Sequence, residues 1–376
     1  MKKEDVISTL VYLVMLVIVV IVGYFIISAN SEAILSSLGN NSSAIYGFVI
    51  ISLIIGVLIN VLFVEVGHAL GAKIGGYNIL SFNVFGLCFY KVLVNDKLKT
   101  KFGFKSFDGL AGETKILPSS KKEKHNPVAY IIFPFVLILL EFLALYLSFM
   151  FISDDSNFAF IKYAIVLIAT VGGLFILYDY IPFKLDAATD GYRYTLLVKK
   201  INVEAYNTRL EIEGNILLNK DNKNYKVFDE ITDYTADVNF LSIYNYLENY
   251  DYESSFELIN KIINTTSKVS NETILKAKMW YLYLLLKEDK LDEAKKYFEE
   301  FDDSATNYLK KNNSLLTLRT YNLYLIKVEK AESLIEETSI KYLKTYKNEV
   351  STFKEKDKKL FESDVVNNNS ENKKSE

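Results

Sequence analysis

Glu65 and His68 lie three residues apart in the apolar stretch FVEVGHALGAKIGGY (Phe63–Tyr77). On a helix that spacing puts both side chains on one face. It sets a carboxylate that can take a proton from water beside an imidazole that can hold a metal ion. Ionisable groups inside an apolar helix are expensive, which makes a functional role the first reading, with a purely structural polar pair as the alternative. Gly67, Gly71 and Gly75 recur every four residues on a neighbouring strip, a pattern that lets another helix backbone approach closely. A second group of chemically capable residues, DYIPFKLDAATDGYRY (Asp179–Tyr194), follows a later apolar run and supplies Asp179, Asp186 and Asp190.

These residues need apolar helices to position them. Half of the 376 residues are hydrophobic and about a quarter are charged, and the apolar ones concentrate before Pro182. The composition predicts a membrane domain over residues 1–199 with four spans at about 6–28, 44–74, 128–152 and 158–181, each near or above the roughly 20 residues a crossing helix needs. The alternative for the first run, a cleaved signal peptide, is disfavoured by its length and by the lack of a small-x-small cleavage site. Basic loops stay inside. The segments Ala29–Ser43 and Ser153–Asn157 carry no Lys or Arg, whereas Gly75–Pro127 holds Lys91, Lys97, Lys99, Lys101, Lys105, Lys115, Lys121, Lys122 and Lys124, and Lys2 and Lys3 precede the first span. The expectation is a multi-pass protein of the cell membrane with both termini and the long loop cytoplasmic; Lys162, inside the fourth run, is the dissenting charge. Within the loop, CFYKVLVNDKLKTKFGF alternates about Asn95-Asp96 and predicts a membrane-proximal β-hairpin, with a re-entrant or interfacial segment over Leu80–Tyr90 as the alternative. A formal charge of -3 and no arginine-rich stripe argue against a nucleic-acid partner, and the solitary Cys88 excludes an intrachain disulfide.

The segment VEVGHALGAKIGGYNILSF resembles the active-site region of the site-2 protease family of intramembrane zinc metalloproteases, in particular its Gram-positive bacterial branch. That family typically carries His-Glu-Leu-Gly-His there, followed by small residues and Gly-Tyr. Its second motif, an Asn-x-x-Pro turn followed by Asp-Gly, is similar to DYIPFKLDAATDGYRY, and LAGETKILP (Leu110–Pro118) falls where relatives have a Gly-rich, Pro-ended segment. The likeness covers roughly Ile45–Leu197. It implies a membrane domain of site-2 protease type. Two histidines and a distant Asp would hold zinc there, and the Glu would deprotonate the metal-bound water. Carried over, Glu65 matches the general base, His68 the second zinc ligand and Asp190 the carboxylate ligand, with Asp186 as the alternative.

Position 64, the first ligand in the family, is Val64, which has no lone pair to give. Asp179 stands where the family has Asn, so it can accept hydrogen bonds but not donate them when ionised. The family's Gly-Pro and Asn signature is absent from YIIFPFVLILLEF. Loss of a partner one shell out from a metal already lowers affinity or activity by about 10 to 100-fold, and loss of a direct ligand should lower it further. Candidate replacements are Asp179, which could join His68 and Asp190, and less aptly His125 or Cys88. Glu141, in the third run, is an intramembrane carboxylate with no link to the motif.

Residues 200–362 show apolar and aromatic residues at helical intervals. The stretches NYDYESSFELINKI, KEDKLDEAKKYFEEF and IKVEKAESLIEET rhyme. Aligning Ser255, Ala294 and Ala331 gives intervals of 39 and 37 residues, against about 34 for tetratricopeptide repeats. A cytoplasmic, repeat-like α-helical domain that binds a protein partner is one reading and a plain bundle the other. The tail 363–376 is too polar to fold alone and is expected to be disordered. The fold class expected is therefore mainly α, a polytopic membrane domain followed by helical, TPR-like repeats. The function expected is a site-2-protease-like membrane protein with a degenerate zinc site, non-catalytic or weakly active, that binds membrane-embedded client helices. The alternatives are an active zinc metalloprotease with a substitute ligand and an unrelated membrane anchor for the helical domain.

Overall fold

The computed structural model describes residues 3–95, 97–105, 111–180, 182, 189–220, 225–265, 269–349 and 351–372. The chain is mainly helical and forms two compact units, Met1–Val203 and Glu204–Glu376.

In the first unit, α3 (Ser42–Gly75), α4 (Pro127–Phe151) and α5 (Ala159–Tyr180) are long and apolar enough to cross a membrane. The expected first span is not a plain fourth one. α1 (Lys3–Ala29) is followed, across a 75° bend, by the short α2 (Ser31–Ser37), and the two pass the same test only as a bent pair. α2 lies in the segment between the first two expected spans. It folds because Ile34 has an apolar seat against Ala159 and Tyr163. The bend is tied by Asn30, whose Nδ2 donates to the Ile26 carbonyl at 2.8 Å while its Oδ1 accepts from the Tyr163 hydroxyl at 2.9 Å. Lys162 pairs with Asp154 in the preceding turn and lies 4.8 Å over the Phe149 ring.

α3 packs along α4, and its glycines allow it. A Cβ on Gly67 would come within 2.4 Å of Pro134 Cα, on Gly71 within 2.3 Å of the Ala129 oxygen, and on Gly75 within 2.4 Å of the Asn126 oxygen. α3 ends at Gly76, whose φ of 95° is the left-handed conformation that stops a helix and turns the chain. The chain then enters β1 (Tyr77–Val84), β2 (Leu87–Val94), β3 (Lys97–Phe104) and β4 (Gly112–Pro118). The expected hairpin is one part of this sheet, with β2 and β3 joined at Asn95 (φ 49°) and Val94 opposite Lys97. The expectation falls short because β1 and β4 complete an antiparallel sheet in the order β3-β2-β1-β4. β4 returns to β1 from beyond the hairpin, and such a non-local pairing leaves no local turn signal. α6 (Asp190–Leu196) follows α5 and is capped by the Thr189 hydroxyl, which accepts from the Tyr192 N–H at 3.2 Å. Asp186 and the hairpin residue Asp96 lie outside the described residues.

The unit division falls early in α7 (Lys200–Leu217). The second unit continues with α8 (Asp233–Glu248), α9 (Tyr252–Ile263), α10 (Asn271–Lys287), α11 (Leu291–Glu299), α12 (Asp303–Lys311), α13 (Leu315–Tyr324), α14 (Glu332–Asn348) and α15 (Lys354–Asn372). Three helical hairpins, α8/α9, α10/α11 and α13/α14, turn on a single left-handed residue: Tyr250, Asp289 and Lys330, at φ 59°, 56° and 52°. Ser255 and Ala294 occupy the same fully buried place after that turn. The third member of the sequence alignment, Ala331, does not, because a π-helical segment at Leu325–Glu329 lengthens the end of α13 and moves the turn on.

The helices enclose a core around Ile243, Ile259, Met279, Trp280 and Leu284. Within it Arg319 is fully buried. Its guanidinium lies 3.9 Å from the Tyr283 ring centre and its Nε and Nη2 donate to Asp357 at 3.3 and 3.2 Å. The Tyr244 and Tyr342 hydroxyls donate to the same carboxylate at 3.0 and 2.9 Å. Of the tail expected to be disordered, residues 363–372 belong to α15 and 373–376 lie outside the described residues. Asp364 accepts from the Tyr283 hydroxyl at 2.9 Å and from Lys287 at 2.7 Å, so a polar segment is ordered by buried hydrogen bonds rather than by apolar burial.

Candidate functional site

The site grows from a gap in α4. Pro134 has no N–H and therefore cannot bond the carbonyl four residues back, at Tyr130. That carbonyl faces α3, where Gly67 has let the helices close up, and His68 Nδ1 reaches it at 3.1 Å. A carbonyl only accepts, so Nδ1 carries the hydrogen, and in the neutral imidazole Nε2 keeps its lone pair. The Tyr130 ring stacks on the imidazole at 4.4 Å and 25°. One residue further along α4 the ladder is bridged from α5: the Tyr180 hydroxyl accepts from the Phe135 N–H at 3.1 Å and donates to the Ile131 carbonyl. A hydroxyl inserted this way keeps a proline-broken helix satisfied.

His68 Nε2 lies 3.5 Å from Asp190 Oδ2, and both side chains are buried. Asp190 Oδ2 has no hydrogen-bond partner. The other oxygen of Asp190 lies 3.6 Å from Arg193 Nη1. Burial pushes the Asp190 carboxyl up to about 6, against the opposing pull of Arg193 and Asp179. Asp179 is a neighbour of a different kind: its Oδ1 accepts from the Asp190 N–H at 3.1 Å, one of the four amides a helix start leaves unpaired. This is a task that an ionised carboxylate and an amide oxygen perform equally well. Glu65 is 5% exposed and accepts from the Thr114 hydroxyl at 2.6 Å. β4 lies directly on it, since a Cβ on Gly112 would stand 2.7 Å from Glu65 Cγ. The Tyr130 hydroxyl donates to the Thr114 carbonyl at 3.0 Å, which links the surroundings of Glu65 to those of His68.

The residues thus brought together are His68, Asp190, Asp179 and Arg193, with Glu65 on the same helix face under β4. His125 is elsewhere, donating Nε2–H to the Ser119 carbonyl at 3.0 Å, and Cys88 is buried in the sheet. Thr114, Tyr130 and Tyr180 escaped the sequence reading. Only Pro134, an imino acid inside an apolar run, marked the place where a carbonyl would be freed.

Zinc ligands at about 2.0–2.1 Å in tetrahedral array stand about 3.3 Å from one another, so the His68–Asp190 pair would fill two corners of such a site. Among the described residues no third ligand joins them, and no group of three His, Cys, Asp or Glu side chains could hold a metal ion. The donor set does not fit a three-ligand catalytic zinc. Comparison of the chain with protein-family models, curated proteins and solved structures returns no match.

Proposed function

We propose that this chain is a site-2-protease-like integral membrane protein with an incomplete metal centre, which binds membrane-embedded client helices without cleaving them. One observation carries the reading. His68 and Asp190, from segments far apart in sequence, meet at 3.5 Å with a lone-pair nitrogen facing an unpartnered oxygen, while Val64 has no donor for the third corner. The Glu65 carboxyl accepts from the Thr114 hydroxyl at 2.6 Å under β4.

In this reading the protein lies in the cell membrane with four crossings, the first formed by the bent α1/α2 pair, and both termini are cytoplasmic. The helical unit is TPR-like and takes a protein partner on the cytoplasmic side. Nucleic acid is not a partner. Client helices would pass beside α3, whose Leu58, Leu62 and Leu70 are exposed rather than packed inside.

The test is co-reconstitution of the purified chain with a single-span apolar reporter peptide, with a photo-crosslinking residue at Leu70. Crosslinking without cleavage is expected, and Glu65→Gln should change neither. Cleavage that Glu65→Gln abolishes would establish the other reading, an active metalloprotease with Asp179 as substitute ligand. Absence of any crosslink would remove the client-binding role.

A further inference from the structure

Away from His68, three helices meet at oxygen atoms with no hydrogen between them. Asn60 on α3 is fully buried, and its Nδ2 donates to the Gly56 carbonyl at 2.9 Å and the Ile168 carbonyl at 3.3 Å. Both partners can only accept, which fixes the NH2 end of the amide and turns Oδ1 the other way. Glu141 on α4, 5% exposed, brings its carboxyl to that side. The two oxygens share the bare face of Gly172 on α5, where a Cβ would lie 2.4 Å from Glu141 Oε2 and 2.7 Å from Asn60 Oδ1. Asn60 Oδ1 and both carboxyl oxygens of Glu141 have no donor.

No cation answers them. Among the described residues nothing basic lies within ion-pair distance of Glu141. From α3 the group facing it is Asn60 and from α5 it is Gly172, neither of which is titratable. Of the charged and titratable groups elsewhere on these three helices, Glu65 is engaged with Thr114, His68 with Tyr130, Lys162 with Asp154 and Asp179 with the Asp190 N–H, and Lys73 lies in the last turn of α3. An ionised Glu141 would set lone pairs against lone pairs in an apolar interior with no counter-charge. A carboxylic acid removes the conflict, because its single O–H can donate to the amide oxygen that Asn60 holds out.

We propose that Glu141 and Asn60 form a proton-binding site inside the helical bundle, in which the Glu141 carboxyl takes a hydrogen ion from water, stays neutral at neutral pH and donates its O–H to Asn60 Oδ1. Gly172 is the residue that makes room for the pair. The site is independent of the His68–Asp190 centre and of any likeness to a protease.

The test is infrared spectroscopy of the full chain in lipid vesicles at neutral pH, comparing wild type with Glu141→Gln. The wild type should show the C=O stretch of a protonated carboxyl that E141Q lacks and that Glu65→Gln, Asp179→Asn and Asp190→Asn each retain. E141Q should keep the wild-type melting temperature, since a Gln NH2 can donate to Asn60 as the acid does. Asn60→Leu should shift the band upward by removing its acceptor. A spectrum that E141Q leaves unchanged would overturn the proposal. So would a band unmoved by N60L, or one that disappears when sodium is added at constant pH, which would make this a metal-cation site.

Discussion

His68 Nδ1 stands 3.1 Å from the carbonyl oxygen of Tyr130, and Pro134 is the reason that oxygen is within the imidazole's claim. The helix gives up one backbone hydrogen bond and a histidine takes the acceptor, which fixes the tautomer and points Nε2 at Asp190. Pro134→Ala would return an N–H to compete for the Tyr130 carbonyl. Nitrogen NMR of labelled histidine should show His68 almost wholly as the Nδ1–H tautomer in the wild type and as a mixture in the variant. Identical spectra would mean that the proline has no part in holding the ring.

The glycines of α3 set how closely α4 can approach. Gly67→Ala and Gly71→Ala each drive a methyl group into backbone atoms of α4 at less than 2.5 Å. Relief needs the helices to separate, at a cost of about 1–3 kcal/mol by comparison with overpacked cores. Gly173→Ala, whose new Cβ would meet only the Phe142 ring edge at 3.5 Å, serves as the control. Thermal aggregation in detergent should fall to lower temperature for the first two and stay unchanged for the third.

How much of this could be read from the chain differs by element. The three long apolar helices and the Gly67/Gly71/Gly75 strip were legible, because hydropathy and a four-residue period are local signals. So was the turn at Asn95, a residue that tolerates the left-handed conformation found there. The sheet was legible only as its hairpin, since β4 pairs with β1 across the whole β2–β3 excursion. The convergence of His68 and Asp190 was expected from the resemblance alone. Tyr130, Thr114 and Tyr180 act through a carbonyl or a hydroxyl, and nothing in their type or spacing distinguishes them from packing residues. The contacts of Asp364 in α15 were not legible, because its partners Tyr283 and Lys287 are distant in sequence.

In the helical unit, Arg319 and Asp357 depend on each other. Removing one leaves a buried charge without its partner, which typically costs about 3–5 kcal/mol, whereas replacing both with apolar residues is often close to neutral. Trp280, the chain's single tryptophan, lies 5.0 Å from the Arg319 guanidinium and reports on this core directly. Denaturant unfolding of the full chain followed by its fluorescence should show a large loss of stability in Arg319→Met and substantial recovery in Arg319→Met/Asp357→Leu. A single variant as stable as wild type would contradict the role given to the pair.

The lysine distribution predicts which side each segment faces. In a Cys88→Ala background, single cysteines at Lys122 and Glu248 should resist an impermeant thiol reagent in intact cells, and one at Asn41 should react. Labelling at Lys122 would invert the assigned orientation.

The proposed function requires that Val64 leave the His68–Asp190 pair without a third metal ligand, which the metal content of the purified chain decides. Elemental analysis after equilibration with a small excess of zinc and removal of the unbound metal should find far less than one zinc per chain in the wild type. Val64→His, which sets a second imidazole one turn from His68, should raise occupancy toward one in a manner that His68→Ala and Asp190→Asn abolish. One zinc per unaltered chain, lost in His68→Ala and in Asp190→Asn, would mean that the metal centre is complete and would overturn the non-catalytic reading.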